Sequence, residues 1–349
     1  MRGGLSGPPF SFGPTYGKAR ADMTTNRTFL APEWAPQAAL WAGWPRLAEE
    51  WGGDLTAARA DIAGFIRAAS AHVKVKVAIG SDEAMASAQA ALGNVAELVR
   101  IPTGDIWLRD TGPIITGAGT GRAGQVFRFN GWGGKYLMDG DTETAAAMSA
   151  IENIPARKHD FVLEGGGIDV DGEGRLLTTA QCLLNPNRNP TLNQDQIEGH
   201  LRAALGVEDI LWLGDGLAND HTDGHVDNIA RFIGPGHVLC QHPAGPDDPN
   251  ADVLREIERS LAAAGLMVST VPSPGLVHFG DGVPVPASHM NFTITNGAVL
   301  VPIYEDRYSA VALAELKALF PGREVIGLYA RSILAGGGSF HCMTREIPV

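Results

Sequence analysis

Seven residues before its carboxyl terminus the chain places a cysteine behind a glycine run, in Ala335-Gly336-Gly337-Gly338-Ser339-Phe340-His341-Cys342-Met343-Thr344. Glycine permits positive φ and close backbone approach, so such a loop can set a thiol at the floor of a cleft. A second segment, Asp220-His221-Thr222-Asp223-Gly224-His225-Val226-Asp227-Asn228, supplies imidazoles among carboxylates. A cysteine nucleophile with a histidine partner is the chemistry these residue types propose.

Two more glycine-punctuated loops carry reactive side chains, and loops on a rigid scaffold are where chemistry concentrates. Gly104-Asp105-Ile106-Trp107-Leu108-Arg109-Asp110-Thr111-Gly112-Pro113 packs two acids, an arginine and a tryptophan beside a strand end. Leu163-Glu164-Gly165-Gly166-Gly167-Ile168-Asp169 sets a carboxylate between an apolar strand and three glycines. Taken singly, an Arg-Asp pair is commonly a surface ion pair, and a glutamate before glycines is commonly a turn. Four acid-rich loops converging on one cysteine favour a site.

The elements that must hold these loops follow from periodicity. Apolar residues at Ala58, Ile62, Phe65, Ile66 and Ala69 predict a helix after Asp54. Alternation over Val73–Ile79 predicts a half-buried strand, and Ser81 caps a helix to about Leu92. Further strands are expected at Val95–Ile101, Gln125–Phe129, Phe161–Leu163, Leu176–Thr178, Ile210–Leu213, Ile229–Ile233, Val238–Gln241, Asn291–Thr295 and Val299–Ile303. Helices are expected at Thr142–Ile151, Asn193–Leu205, Ala251–Ala264 and Ser309–Phe320. The strand–helix–strand unit recurs roughly every 60–70 residues, a mixed α/β chain with internal repetition.

Composition bounds the partners. The 349 residues are 44% hydrophobic, with a formal charge of −12 and no basic block. Nucleic acid and anionic membrane are poor partners for such a chain, and a small cation is a good one. Self-association stays open. Cys182, Cys240 and Cys342 are too few for a disulfide framework and suit a reducing, cytoplasmic location. Residues 1–25 read as a disordered amino-terminal tail, with Met23 an alternative start, and 26–349 as a single catalytic domain. The first 21 residues lack acids, which also admits an organellar transit segment.

Five motifs in order carry a resemblance: Trp107-Leu108-Arg109-Asp110-Thr111-Gly112-Pro113, Glu164-Gly165-Gly166, Leu184-Asn185-Pro186-Asn187-Arg188-Asn189-Pro190, Asp223-Gly224-His225-Val226-Asp227-Asn228 and Gly336-Gly337-Gly338-Ser339-Phe340-His341-Cys342. From about Trp34 to Pro348 the chain resembles the agmatine deiminase family, which belongs with bacterial-type peptidylarginine deiminases among the guanidine-modifying penteins. The resemblance implies a pseudo-fivefold α/β propeller of repeated ββαβ units around a central channel. It implies Cys342 as nucleophile, His225 as general acid/base and Glu164 as the group orienting that histidine. It assigns the guanidinium to Asp110 and Asp227, and puts Trp107 and Gly338 in the substrate pocket. The reaction the resemblance implies is hydrolysis of agmatine to N-carbamoylputrescine and ammonia through a cysteine thiouronium, in putrescine and polyamine biosynthesis, with no metal or organic cofactor.

Physical chemistry supports that division of labour. A guanidinium is a planar permanent cation with five N–H donors, and carboxylates clamp it with charge-assisted bonds. A free cysteine titrates at roughly 8.5, and a nearby cation favours the thiolate. The rival reading is a metal hydrolase built on His221 and His225 with the neighbouring aspartates. The Asp223-Gly224 turn argues against one helix carrying both histidines, and that reading leaves Cys342 unexplained.

Other residues take plainer readings. Cys182 and Cys240 read as buried structural thiols, and His237, His242, His278 and His289 as packing or surface residues. Trp34, Trp41 and Trp44 read as one amino-terminal core patch. The Asn185–Pro190 loop reads as a structural turn. Asp105 is either a pocket carboxylate or a loop acceptor, and Asn291 either lines the pocket or caps a turn. Agmatine is expected over arginine or peptidylarginine. Two positions bear on that choice: His221, often acidic in the family, and Arg345, which in principle receives a substrate carboxylate.

Overall fold

The computed structural model describes residues 30–280, 282–304 and 307–349. The expected amino-terminal tail lies outside the described residues, as does its alternative start. The chain begins with β1 (Gln37–Gly43), α1 (Thr56–Ser70), β2 (Val75–Ile79), α2 (Asp82–Leu92) and β3 (Glu97–Arg100). It continues through α3 (Leu108–Thr111), β4 (Ile114–Thr116), β5 (Ala123–Arg128), α4 (Gly131–Gly134), α5 (Asp141–Ile151) and β6 (Ala156–Val162). Next come β7 (Ile168–Val170), β8 (Arg175–Thr179), α6 (Ala180–Leu183), α7 (Gln194–Leu205) and β9 (Asp209–Leu213). Then follow β10 (Ala230–Gly234), β11 (His237–His242), α8 (Ala251–Ala263), β12 (Met267–Pro272) and a hairpin of β13 (His278–Phe279) and β14 (Val283–Pro284). The last elements are β15 (Thr293–Ile294), β16 (Ala298–Ile303), α9 (Ser309–Leu319), β17 (Glu324–Tyr329), α10 (Arg331–Leu334) and β18 (Thr344–Pro348).

Among the described residues, five sheets repeat one pattern: an antiparallel pair followed by a parallel strand reached through a helix. The pattern is β4-β5-β6, β7-β8-β9, β10-β11-β12 and β15-β16-β17, and the fifth sheet runs β18-β1-β2-β3. In that fifth sheet the carboxyl-terminal strand supplies the antiparallel partner, with Trp41 opposite Arg345 and Ala42 opposite Thr344. The pseudo-fivefold α/β propeller implied by the resemblance is therefore present, and its closure pins β18, the strand that follows Cys342. Strand pairing across the ends removes two free edges at once.

Local chemistry accounts for the elements. Ser81 accepts a hydrogen bond from the Ala84 amide at 3.1 Å and starts α2. Asn193 and Gln196 form a reciprocal capping box on α7, which stops at Gly206 with φ 74°. Strand β2 departs from expectation, because all five of its residues are buried. Lys76 faces inward, with Nζ 2.7 Å from Glu152 Oε1 and 5.5 Å from the centroid of the Trp41 ring. An inward lysine is tolerated there because its charge is paired.

The core is partitioned among the units. Ile197, Leu201 and Leu205 of α7 pack with Leu176 and Ile210; Leu254, Ile257 and Leu261 of α8 pack with Phe232 and Val238. The tryptophans do not form one patch: Trp41 packs with Leu108 and Ile347, Trp44 with Phe65 and Phe340, and Trp34 between two other clusters. No described helix is long and apolar enough to cross a membrane.

Candidate active site

Each connection between successive sheets delivers a polar side chain to one place. Asp110 comes from α3, between β3 and β4, and Glu164 with Gly166 comes from between β6 and β7. His225 and Asp227 lie between β9 and β10, Asn291 between β12 and β15, and Cys342 between β17 and β18. All five of the side chains expected to act, Asp110, Glu164, His225, Asp227 and Cys342, are buried.

Gly166 marks the point of convergence. A Cβ there would lie 2.6 Å from His225 Nδ1, 2.9 Å from Asp227 Oδ2 and 3.1 Å from Asp110 Oδ1. The Gly166 amide donates to Asp110 Oδ1 at 2.8 Å, and Trp132 Nε1 donates to Asp110 Oδ2 at 2.8 Å. Asp227 Oδ2 accepts from His341 Nδ1 at 2.7 Å and stands 3.8 Å from Cys342 Sγ, while Asp227 Oδ1 has no hydrogen-bond partner. A buried carboxylate oxygen without a donor is costly unless the site receives one.

Asn291, read from sequence as either pocket wall or turn cap, organises the nucleophile. Its Nδ2 contacts Cys342 Sγ at 3.1 Å and Asn228 Oδ1 at 2.9 Å. Its Oδ1 accepts from the amides of His341 and Cys342, at 3.0 and 3.3 Å. Arg109 is no surface ion-pair residue: it is buried, pairs with Glu346 Oε2 at 2.7 Å, and its amide donates to the Cys342 carbonyl at 3.0 Å.

The expected bond from Glu164 to His225 is absent. Glu164 Oε1 instead accepts from Arg188 Nε at 2.7 Å, and Oε2 has no hydrogen-bond partner. Arg188, from the loop read as a structural turn, is buried and also donates from Nη1 to Asn187 Oδ1 at 2.8 Å and from Nη2 to the Thr222 carbonyl at 2.7 Å. Its ion pair with Asp223 completes a stitch between the Glu164 and His225 loops. The segment Leu184–Pro190 is among the motifs that carry the resemblance, but within it only a cation held between two prolines hinted at this role. The two histidines also part company. Asp223 (φ 64°) and Gly224 (φ 85°) turn the chain, so His225 is buried while His221 stands at the cleft mouth, 6.0 Å from the Tyr136 ring. Among the described residues the close donor set is Glu164, Cys182 and His225, within 4.8 Å of one another. Arg188 already neutralises that glutamate, so the set does not suit a cation.

The cleft has a volume of about 140 Å³, with Asp110 and Cys342 at its floor. Trp107, Trp132 and Tyr136 supply aromatic walls, Glu50 and Asp105 supply carboxylates, and among the described residues no lysine or arginine lines it. Trp107 stacks on Trp51 at 5.9 Å. Gly338 sits under Trp107 beside Cys342, where a Cβ would approach the Trp107 ring to 2.6 Å; Gly336 and Gly337, not Gly338, line the cleft. Arg345 cannot meet a substrate carboxylate there. It is buried away from the cleft, with its guanidinium on the Arg109 carbonyl and 3.7 Å from Glu346.

Charge sets the protonation states. Burial, then Asp227 and Asp110, push the Cys342 thiol well above its ordinary range, so it holds its proton. Burial opposes charge on His225, but Asp110, Cys182 and Glu164 together carry it well above the usual imidazole range. Burial drives His341 well below, with Arg109 and Arg231 adding to the shift. Burial raises Asp105 to about 7 despite a bond from Trp51 Nε1 at 3.3 Å.

An acid whose folded pKa exceeds its unfolded one costs no stability below the unfolded value. The penalty grows as pH rises through that window and is complete above the folded value. For Asp105 the window runs from 3.8 to about 7. Asp105→Asn keeps an acceptor for Trp51, so its melting temperature should exceed wild type by a few degrees at pH 8 and match it near pH 4. Scanning calorimetry at both pH values measures this, and an equal difference at both would mean Asp105 is not held protonated.

Comparison with known proteins follows the same lines. Residues 29–348 match the family of Porphyromonas-type peptidyl-arginine deiminases. An agmatine deiminase of Pseudomonas aeruginosa (strain LESB58) is 39% identical, over 91% of this chain and 95% of that protein. The solved agmatine deiminase of Enterococcus faecalis superposes with a TM-score of 0.87 at 30% identity, covering 93% of this chain and 96% of the other. A cysteine-to-serine variant of C. jejuni agmatine deiminase, solved with substrate bound, gives a TM-score of 0.84 at 28% identity, covering 92% and 96%.

Proposed function

This chain belongs to the Porphyromonas-type peptidyl-arginine deiminase family, and from that premise we propose that it is a hydrolase that deiminates agmatine. The guanidinium lies between Asp110 and Asp227, which meet it with opposite charge and fixed acceptors. The incoming cation neutralises the two carboxylates that hold the proton on Cys342, and that proton leaves to solvent. The thiolate attacks the guanidinium carbon. His225, charged before attack, protonates the departing nitrogen, and ammonia leaves a thiouronium on Cys342. The neutral imidazole then takes a proton from water, hydroxide adds to the thiouronium carbon, and collapse passes the hydroxyl proton to the departing sulfur, which frees Cys342 as the thiol together with N-carbamoylputrescine.

One observation carries this reading: two buried carboxylates and an imidazole nitrogen converge on the space that Gly166 leaves empty, and the Cys342 thiol stands 3.8 Å from one of those carboxylates. The acid-lined wall of the cleft, which among the described residues holds no arginine, supports a substrate with an ammonium at its far end. Arginine and peptidylarginine carry a carboxylate or a peptide there, and Arg345 faces elsewhere. The names of the similar proteins support the same substrate. A reactive thiol without a disulfide framework suits the cytoplasm, and the product suits putrescine and polyamine synthesis.

The test is ammonia release from agmatine, free arginine and a blocked peptidylarginine by the purified protein. Agmatine should exceed the others in kcat/KM by about 100-fold or more, because each rival leaves a polar group unpaired in the acidic cleft. Faster turnover of arginine would replace the substrate, and no ammonia from any of the three would remove the reading.

A further inference from the structure

One reactive side chain against the proposed base has no part in the reaction so far. Cys182 is the third residue of the short helix α6, where its amide donates to Thr179 Oγ1, the cap of that helix, at 3.3 Å. The same hydroxyl donates to the Gly224 carbonyl at 2.6 Å, so α6 is tied to the residue before His225. Cys182 Sγ, a Glu164 oxygen and an imidazole nitrogen lie within 4.8 Å of one another, and all three residues are fully buried. A Cβ on Gly167 would lie 3.7 Å from Cys182 Sγ and 3.9 Å from His225 Nε2, whereas Nδ1 lies on the Gly166 side, 3.8 Å from Asp110 Oδ2. Glu164 Oε2 and both imidazole nitrogens lack hydrogen-bond partners.

We propose that Cys182 is a positioning residue for His225: its sulfur accepts the Nε2–H and its S–H is given to Glu164 Oε2, which leaves Nδ1 facing the substrate. The inference rests on His225 acting as acid and then base. A thiol can serve because sulfur is at once a weak donor and a weak acceptor. Burial keeps its proton on, so the sulfur adds no charge of its own behind the ring. A carboxylate bonded directly to Nε2–H would stabilise the imidazolium strongly and slow its proton donation; the thiol orients the ring with less hold on the charge. Glu164 is turned from that position by Arg188.

The test compares Cys182→Ala, Cys182→Ser and Cys182→Val with wild type for kcat, KM and the pH profile of kcat, using agmatine. Alanine should lower kcat about 10–100-fold, part of the usual general acid–base contribution, with KM within about threefold. Losing the acceptor disfavours the imidazolium, so the basic limb should move to lower pH by about half a unit or more. Serine, which accepts and donates, should recover kcat to within about threefold of wild type and restore the limb. Valine fills the space without a hydrogen bond and should behave as alanine does; it replaces alanine if that variant does not fold. An alanine or valine variant with wild-type kcat and pH profile overturns the inference, as does a serine variant no better than either. Wild type that is inactive on every guanidine overturns the proposed function instead.

Discussion

Cys342→Ser abolishes ammonia release, by about 10³-fold or more, while the protein stays folded. A serine hydroxyl is close in size to the thiol and can keep the contact that Asn291 Nδ2 makes at 3.1 Å. The loop is also held by means that do not involve sulfur. Asn291 Oδ1 takes two of its amides, and its carbonyl at position 342 is held by Arg109. What changes is the nucleophile: a serine hydroxyl needs a base at its proton, and His225 is held in its acid form here. Circular dichroism and the melting temperature check the fold, and steady-state ammonia release checks the loss. Rapid acid quench of wild type with agmatine, followed by intact-mass and peptide analysis, should show agmatine less ammonia on Cys342. Turnover above a trace in the serine variant, or adduct on Cys182 or Cys240, sinks the covalent assignment.

Much of this site could be read from residue types, and the reason is topological. Each catalytic loop joins two repeats, so its chemistry sits in a short contiguous motif that strand ends bracket. Helices with strong apolar periods, such as α1 and α8, were legible for the same local reason. Strands β4 and β7 hold three residues each, too few for alternation to register. Strand β18 was hidden because its sequence, TREIP, is polar and its burial comes from pairing with β1 at the far end of the chain. The supporting residues were legible least. Arg188 acts through an ion pair across 24 positions of sequence, and Asn291 reaches Cys342 across 51. Such partners are fixed by closure of the five units and leave no local pattern. Arg345 shows the converse: its nearness to Cys342 in sequence left it open as a receiver of a substrate carboxylate, but strand alternation along β18 turns it to the other side of the site.

Asp110→Asn and Asp227→Asn each cut kcat/KM for agmatine by about 10²-fold or more, yet make Cys342 more reactive towards iodoacetamide in the free enzyme. The first effect follows from the clamp. Each change removes a charge at nearly constant size, and hydrogen bonds to a charged group contribute roughly 1.5–3 kcal/mol apiece. At Asp110 the exchange also sets an amide against a donor, because Oδ1 accepts from the Gly166 amide and Oδ2 from Trp132. The second effect has the opposite sign because the same two carboxylates hold the thiol protonated. With one removed, the thiol pKa falls and alkylation at pH 8 quickens. Asp227 acts on the thiol more strongly than Asp110 and stands 3.8 Å from Sγ, so its replacement should quicken alkylation more. Substrate does in wild type what either substitution does permanently, since a bound guanidinium offsets both charges at once. Variants that lose turnover with slower or unchanged alkylation would mean that these aspartates hold the loops without setting the charge on Cys342. Near-normal kinetics would remove them from the clamp altogether.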